Sequence, residues 1–405
     1  MIFKIAWRNI WRSRIRSFTV IGSIIVGVWA LIFIMAFTKG FIEAYINSAI
    51  ENEISHIQLH HPKFQDDKEV EYQLKNSDQI ITQLEANKKV AAVAKRSLNN
   101  GMLATSKGSR GIQIRGVLPE QEKALTKLDQ KLVDGAYFDA VKKKNPIIIS
   151  ERLAEKMDLK VKSKLVLTFQ GVDGELTSAA FKVVGLYRMG NAIFEEMNVF
   201  VQQSDLSRLL GDEQMVHEVA LLANNTEDIP VIQEQLKADF PEALVENYRE
   251  VSPDVSLYES QMALSTYIVI FIVMLALIFG IINTMLMAVL ERTRELGMLM
   301  AVGMKRIQVF LMIVVETLCL GMLAAPVGLL LGYLTVSYYG TVGVDLSAYS
   351  EGMEKFGLSD MVYTSLGMAE FFKVAIAVAI TAVLGAIYPA RKATKLKPVE
   401  AIRKI

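Results

Sequence analysis

Residues Ser260–Leu290, SQMALSTYIVIFIVMLALIFGIINTMLMAVL, decide the fold: 31 consecutive positions carry no charge. A helix rises about 1.5 Å per residue and a bilayer's hydrocarbon core is about 30 Å thick, so about 20 such residues suffice to cross it. The same reading applies on either side. Phe18–Phe37 is a run of 20 uncharged residues, Ile307–Val344 carries Glu316 as its one charge, and Val374–Ala390 is 17 uncharged residues. Four transmembrane helices are expected. A secretory signal, the rival reading of the first run, has an apolar core of only about 7–15 residues followed by a small-x-small cleavage site.

Composition agrees. The chain is 52% hydrophobic and 21% charged, with mean hydropathy +0.31, which excludes disorder and a nucleic-acid-binding tail. Its 44 Lys+Arg against 43 Asp+Glu leave a formal charge of +1 and no surplus for a polyanion, so no nucleic-acid partner is expected. Cys319 is the one cysteine, which rules out an intrachain disulfide or a Cys-based zinc cluster.

Basic residues near span ends mark the cytoplasmic side. Residues 1–17 hold Lys4, Arg8, Arg12, Arg14 and Arg16 without an acid; the loop after span two holds Arg292, Arg294, Lys305 and Arg306; the tail holds Arg391, Lys392, Lys395, Lys397, Arg403 and Lys404. Residues 38–259 carry 27 Lys+Arg and 34 Asp+Glu, a net of −7, and the 345–373 connection is acidic too. Both termini are therefore expected inside a bacterial inner membrane, with the large segment outside. The expected order is an amphipathic helix (1–17), span one with a stalk (18–54), an α+β extracytoplasmic domain (55–252), stalk and span two (253–290), a cytoplasmic helix (291–306), span three (307–344), an outer loop (345–373), span four (374–390) and a tail (391–405).

Within 55–252, His56–His60 and Gly111–Arg115 alternate as strands do, Pro146–Ser150 reads as a short buried strand, and Lys164–Gln170 pairs with Phe181–Gly185 across Gly171–Gly174. Helices are expected over Asp78–Asn87, Ser150–Met157 with Ser150 as cap, Gln203–Leu210 and Ile229–Phe240. Two lobes dividing near Pro119 and Gly190 are one arrangement of these elements. His56, His60 and His61 are candidate metal ligands. On a strand, however, His56 and His60 lie about 13 Å apart, so a solvated strand face is the plainer expectation.

No Gly-x-x-x-x-Gly-Lys-Ser/Thr loop occurs, nor Gly-x-Ser-x-Gly or His-Glu-x-x-His. The chain is not expected to hydrolyse ATP or to be one of the common hydrolases. Lys4, Arg8, Arg12 and Arg16 recur every four residues opposite Phe3, Trp7, Ile10 and Ile15, the pattern of an interfacial helix that binds membrane lipids. In Glu291–Arg306, Leu296, Leu299 and Met300 form a short apolar stripe, while Gly297, Ala301 and Gly303 allow close backbone approach. Such a helix suits a partner's cleft; an inert charged turn that only fixes topology is the alternative. Glu316, costly in lipid, is expected to face a helix or polar cavity, or to reach the interface. The 19 methionines suit apolar packing rather than metal binding.

Asn283–Gly303, NTMLMAVLERTRELGMLMAVG, resembles the signature of the FtsX-like/MacB-type permease family of ABC transporters, which includes the lipoprotein-releasing LolC and LolE. Ala6–Ser17, AWRNIWRSRIRS, is similar to the family's opening helix, with Trp7, Arg8, Asn9, Trp11 and Arg12 at its centre. Tyr388–Ala393 and Pro398–Arg403 resemble its closing motif, through Pro389, Ala390, Ala393, Pro398 and Glu400. Gly116–Gln121 and Ile149–Ala154 look like its periplasmic domain. Layout fits the lipoprotein-release type best.

The resemblance implies that the chain pairs with a second permease, a copy or a paralogue, and binds a cytoplasmic ABC ATPase dimer that carries the ATP and magnesium. It further implies that Glu291, Arg292, Arg294, Glu295, Gly297, Ala301 and Gly303 form the coupling contact, and that the work is mechanical transmission. The cargo expected is a lipoprotein or other amphiphile. Val28, Leu31, Ile32 and Met35 of span one and Ala263, Tyr267, Ile270 and Phe271 of span two are expected to line an apolar cavity for its acyl chains. The alternatives are a MacB-like peptide or antibiotic exporter, an FtsX-like regulator of wall hydrolases, and a membrane-anchored enzyme.

Overall fold

In a computed structural model of the chain, residues 2–12, 14–140, 144–212, 214–349, 352–353 and 361–396 are described. Two compact units are distinguished, one taking in residues 1–42, 259–345 and 361–405, the other 43–258 and 346–360.

Among the described residues, four helices are long and apolar enough to cross a membrane. Span one is Arg14–Ala49, continued by a π-helical turn, Ile50–Ile54. Spans two, three and four are Pro253–Glu291, Arg306–Val342 and Met368–Thr394. The opening helix is described over Ile2–Arg12, and Ser17 Oγ of span one donates to the Ile10 carbonyl at 2.7 Å. Residues 344–345 pair with 361–362 before span four begins.

The spans meet where side chains are small. A Cβ on Gly332 would lie 2.7 Å from Ile32 Cδ1, and one on Gly328 would lie 2.9 Å from Val28 Cβ, so spans one and three approach closely only with hydrogen at these positions. Gly27 meets Leu277 of span two, and Gly385 of span four meets Ile281. This arrangement corrects the expected cargo cavity. Val28, Leu31 and Ile32 are fully buried and Met35 packs against the same core. Ile270 joins that core from span two, whereas Ala263 is exposed and Tyr267 and Phe271 are 70% and 66% exposed. The eight residues do not line one gap, because in an all-apolar span it is the glycines that select the packed face.

Among its described residues the second unit contains ten strands: β1 Ile57–His60, β2 Val90–Thr105, β3 Gly108–Val117, β4 Leu132–Gly135, β5 Pro146–Ser150, β6 Lys164–Gln170, β7 Leu176–Tyr187, β8 Asn198–Gln202, β9 Glu218–Ala223 and β10 Leu244–Asn247. The pairings β2–β3, β3–β8, β8–β5, β5–β7, β7–β6 and β6–β2 close a six-stranded circuit. Alternation fills its interior: Leu103, Ile112, Leu165, Leu167, Phe169 and Phe181 point inward, joined by Leu153 and Leu206 from flanking helices. The N-terminal half of the 16-residue β2 leaves the circuit and pairs with β9, which carries β1 and then β10. A division near Pro119 and Gly190 is therefore not what the chain adopts, since β2 runs through both sheet regions.

Helix signals within this unit are local and legible. Ser150 Oγ accepts from Leu153 N at 3.0 Å, and Asn247 with Glu250 forms a reciprocal cap. The histidines need correction. β1 lies between β9 and β10, so His60 is buried, with Nε2 3.2 Å from Glu218 Oε2, rather than on a solvated face. His56 Nδ1 accepts from Ala223 N, and the His61 ring stacks on Tyr72 at 5.2 Å. Beside His60, Arg96 of β2 donates to Glu122 through Nε and Nη2 and to Glu218 through Nη1, at 2.9, 2.8 and 2.7 Å. All three side chains are buried. Burial opposes the charge on Glu218, yet Arg96 and His60 hold its carboxyl well below the usual range.

Candidate functional site

Span two stops because Arg292, at φ −101° and ψ 16°, leaves helical geometry, and a short helix, Thr293–Ala301, follows. Leu296 and Gly297 form its buried side; Glu291, Arg294, Met298 and Ala301 lie outside. Gly303 ends the connection at φ +106°, a conformation that strains any residue with a side chain. Met304 N donates to Leu299 O across this turn, and Lys305 N donates to Gln308 Oε1 as span three begins. Val302 is 89% exposed, with Met298 and Ile307 also exposed, so the connection presents an apolar tip.

The other side of the short helix meets the opening helix. There Ala6 and Ile10 face inward, while Phe3, Trp7 and Trp11 form an exposed stripe in which the two indoles meet edge-on at 6.3 Å. Such a stripe suits a membrane interface. Arg8 is exposed. Arg12 Nη2 lies 2.6 Å from Glu295 Oε1, with side chains 65% and 37% exposed.

Deeper in, Arg292 Nη1 donates to Glu316 Oε1 of span three at 3.2 Å and Nη2 donates to the Asn9 carbonyl at 3.1 Å. Asn9 Nδ2 donates to Glu316 Oε2 at 3.5 Å. A cavity of about 430 Å³ adjoins these groups, lined also by Arg12 and Glu295 and by apolar side chains such as Leu296, Leu299, Met312 and Ile313. The cluster has no nucleophile or acid–base pair aimed at open space; it is built to hold one helix against others.

Of the site residues expected from sequence, the structure brings together Asn9, Arg12, Arg292 and Glu295. Pro389, Ala390 and Ala393 are buried in span four, apart from this cluster's lining, and Pro398 and Glu400 lie outside the described residues. Of the two expectations for Glu316, the structure adopts the polar contact rather than the interface. Its partners, Arg292 and Asn9, are 24 and 307 residues away in sequence.

Comparison with known proteins follows the same division of the chain. The MacB-like periplasmic core domain matches residues 17–239, and the FtsX-like permease C-terminal matches residues 267–398. The lipoprotein-releasing system transmembrane protein LolC of Neisseria meningitidis is 22% identical over 341 residues, 79% of each chain. An uncharacterized ABC transporter permease of Methanocaldococcus jannaschii, MJ1507, is 27% identical over 231 residues, 55% of each chain. The macrolide export ATP-binding/permease protein MacB of Chlorobium luteolum is 33% identical over 124 residues, 31% of this chain and 16% of that one. The chain thus spans about half the length of the archaeal relative and a smaller share of MacB. Among solved structures, the periplasmic region of MacB from Actinobacillus actinomycetemcomitans aligns at 16% identity and a TM-score of 0.35, covering 49% of this chain and 91% of that one. With four spans, a large α/β domain between the first two and both family regions in order, the chain belongs to the MacB/FtsX-type family of ABC transporter permeases.

Proposed function

We propose that the chain is a permease subunit that couples ATP hydrolysis by a separate cytoplasmic ATPase dimer to movement of its extracytoplasmic domain, releasing lipoproteins from the membrane as half of a permease pair. The observation that carries this reading is the Thr293–Ala301 helix, anchored on one side and apolar and exposed at its Val302 tip. An anchored helix with an exposed apolar end transmits force from a docked protein to the spans on either side of it. The basic segments beside it support a cytoplasmic location, with both termini on that side. Likeness to LolC over 79% of the chain supports lipoproteins as cargo.

A second reading, export of a peptide or antibiotic, is supported by the 33% identity with MacB. Reconstitution with its partner ATPase separates the two. ATP should release a fluorescent triacylated lipopeptide from proteoliposomes to a lipid-binding acceptor. Transport of a soluble peptide without lipopeptide release would favour the exporter, and co-purification with a wall hydrolase, without either transport, would favour an FtsX-like regulator. Val302→Glu tests docking without disturbing the fold, whereas a bulky residue at Gly303 would strain the turn itself. The variant should reach the membrane and lose cargo-stimulated ATP hydrolysis; undiminished hydrolysis and transport would refute docking at this tip.

A further inference from the structure

We infer that Glu316 is a positioning residue: through Arg292 and Asn9 it holds the short helix Thr293–Ala301 at a set angle to the opening helix and span three. The inference rests on the proposed docking role of that helix and assigns the part that keeps it in place. A carboxylate inside a membrane span is retained at a cost unless donors surround it. Here both oxygens of Glu316 have one, Arg292 Nη1 at 3.2 Å and Asn9 Nδ2 at 3.5 Å, and the two donors come from different elements.

Arg292 is placed to matter. It is the residue at which span two gives way to the short helix, so fixing its side chain fixes the pivot. Its second donor goes to the carbonyl of Asn9 on the opening helix. One guanidinium therefore links the opening helix, the start of the short helix and the interior of a span.

Packing beside the Arg292–Glu316 pair is incomplete, since a cavity of about 430 Å³ adjoins it, lined by Leu299 and Met312 among others. The outer link, Arg12 to Glu295, is mostly exposed, and pairs of that kind contribute little. The side chains of Arg292 and Glu316 are 12% and 7% exposed, so their charge-assisted bonds act in a medium that screens them far less.

The test uses the full chain in nanodiscs with Cys319→Ser, spin labels at Met298 and Arg8, and a control pair at Leu275 and Leu330 on exposed positions of spans two and three. Wild type should give one narrow 298–8 distance. Glu316→Gln should broaden it at least about twofold, as the ratio of held to free helix falls roughly ten- to a hundredfold, while the control distance stays put. The charge-reversed pair Arg292→Glu/Glu316→Arg should narrow it again. An unchanged 298–8 distribution in both Glu316→Gln and Glu316→Ala would overturn the inference, as would equal broadening at the control pair. ATP-coupled release is then measured with the partner ATPase. A broadened helix with normal coupling would leave the positioning role standing and refute the docking reading instead.

Discussion

Replacing Arg96 with methionine removes the cation at the centre of the most deeply buried ion cluster in the extracytoplasmic domain. Methionine nearly fills the space of the arginine stem, so the change is chiefly electrostatic. It leaves Glu122 and Glu218 facing each other with no guanidinium between them. Breaking a buried pair by removing one partner costs about 3–5 kcal/mol, a large part of the roughly 5–15 kcal/mol that keeps an ordinary domain folded. At about 1.4 kcal/mol per power of ten, hydrogen exchange of the β1, β2 and β9 amides should accelerate by two to three and a half powers of ten. The pH dependence gives a second signature. In the wild type the Glu218 carboxyl is held below its usual 4.5, so its contribution is complete above that value and is lost only as pH falls below it. In Arg96→Met the orphaned carboxylates can recover by taking up protons, so the deficit should shrink between pH 8 and pH 5. The apolar triple variant Arg96→Met/Glu122→Leu/Glu218→Met should restore most of the loss. A deficit below about 1 kcal/mol, or one independent of pH, would refute the reasoning.

His217 accepts from Leu98 N at Nδ1 and donates from Nε2 to the Val70 carbonyl, at 3.0 and 2.9 Å, which requires a neutral ring; burial lowers its pKa. Its contribution is thus present above the unfolded value of 6.5 and lost as pH falls below it, and exchange at Leu98, corrected for intrinsic rate, should be faster at pH 5.5 than at 7.5 in the wild type but not in His217→Gln. Gly332→Leu drives a side chain into Ile32 and should destabilise the spans by about 1–3 kcal/mol in a detergent melt, with Ile32→Ala restoring part of the loss; an unshifted melt would refute the close approach. In a Cys319-free chain, a cysteine at Ser109 should react with an impermeant label from outside intact cells, whereas cysteines at Lys305 and Lys395 should react only after permeabilisation; the reverse pattern would overturn the proposed orientation.

Elements set by nearest neighbours were legible in the chain. Run length alone places four spans, because hydrocarbon thickness and helical rise leave little choice. The Ser150 cap, the all-buried strand Pro146–Ser150 and the turn at Gly171–Gly174 depend on residues a few positions apart, although Lys164–Gln170 pairs there with Leu176–Lys182 rather than with Phe181–Gly185. So does the break that separates span two from the Thr293–Ala301 helix, whose charges and small residues are contiguous.

Tertiary structure decided what local pattern cannot carry. Inside a span nearly every residue is apolar, so periodicity does not say which face is packed; the choice fell to Gly328 and Gly332, which admit Val28 and Ile32 and remove them from any cavity. Alternation marks His56–His60 as a strand but not as an interior one, and flanking by β9 and β10 buries His60 and recruits Glu218 from 158 residues away. The closed six-strand circuit likewise depends on pairings between distant strands. For Glu316 the chain left two outcomes open, a polar partner or the interface, since a lone carboxylate is costly in lipid. Only folding, which brings the break in span two and the opening helix to the same point, supplied Arg292 and Asn9.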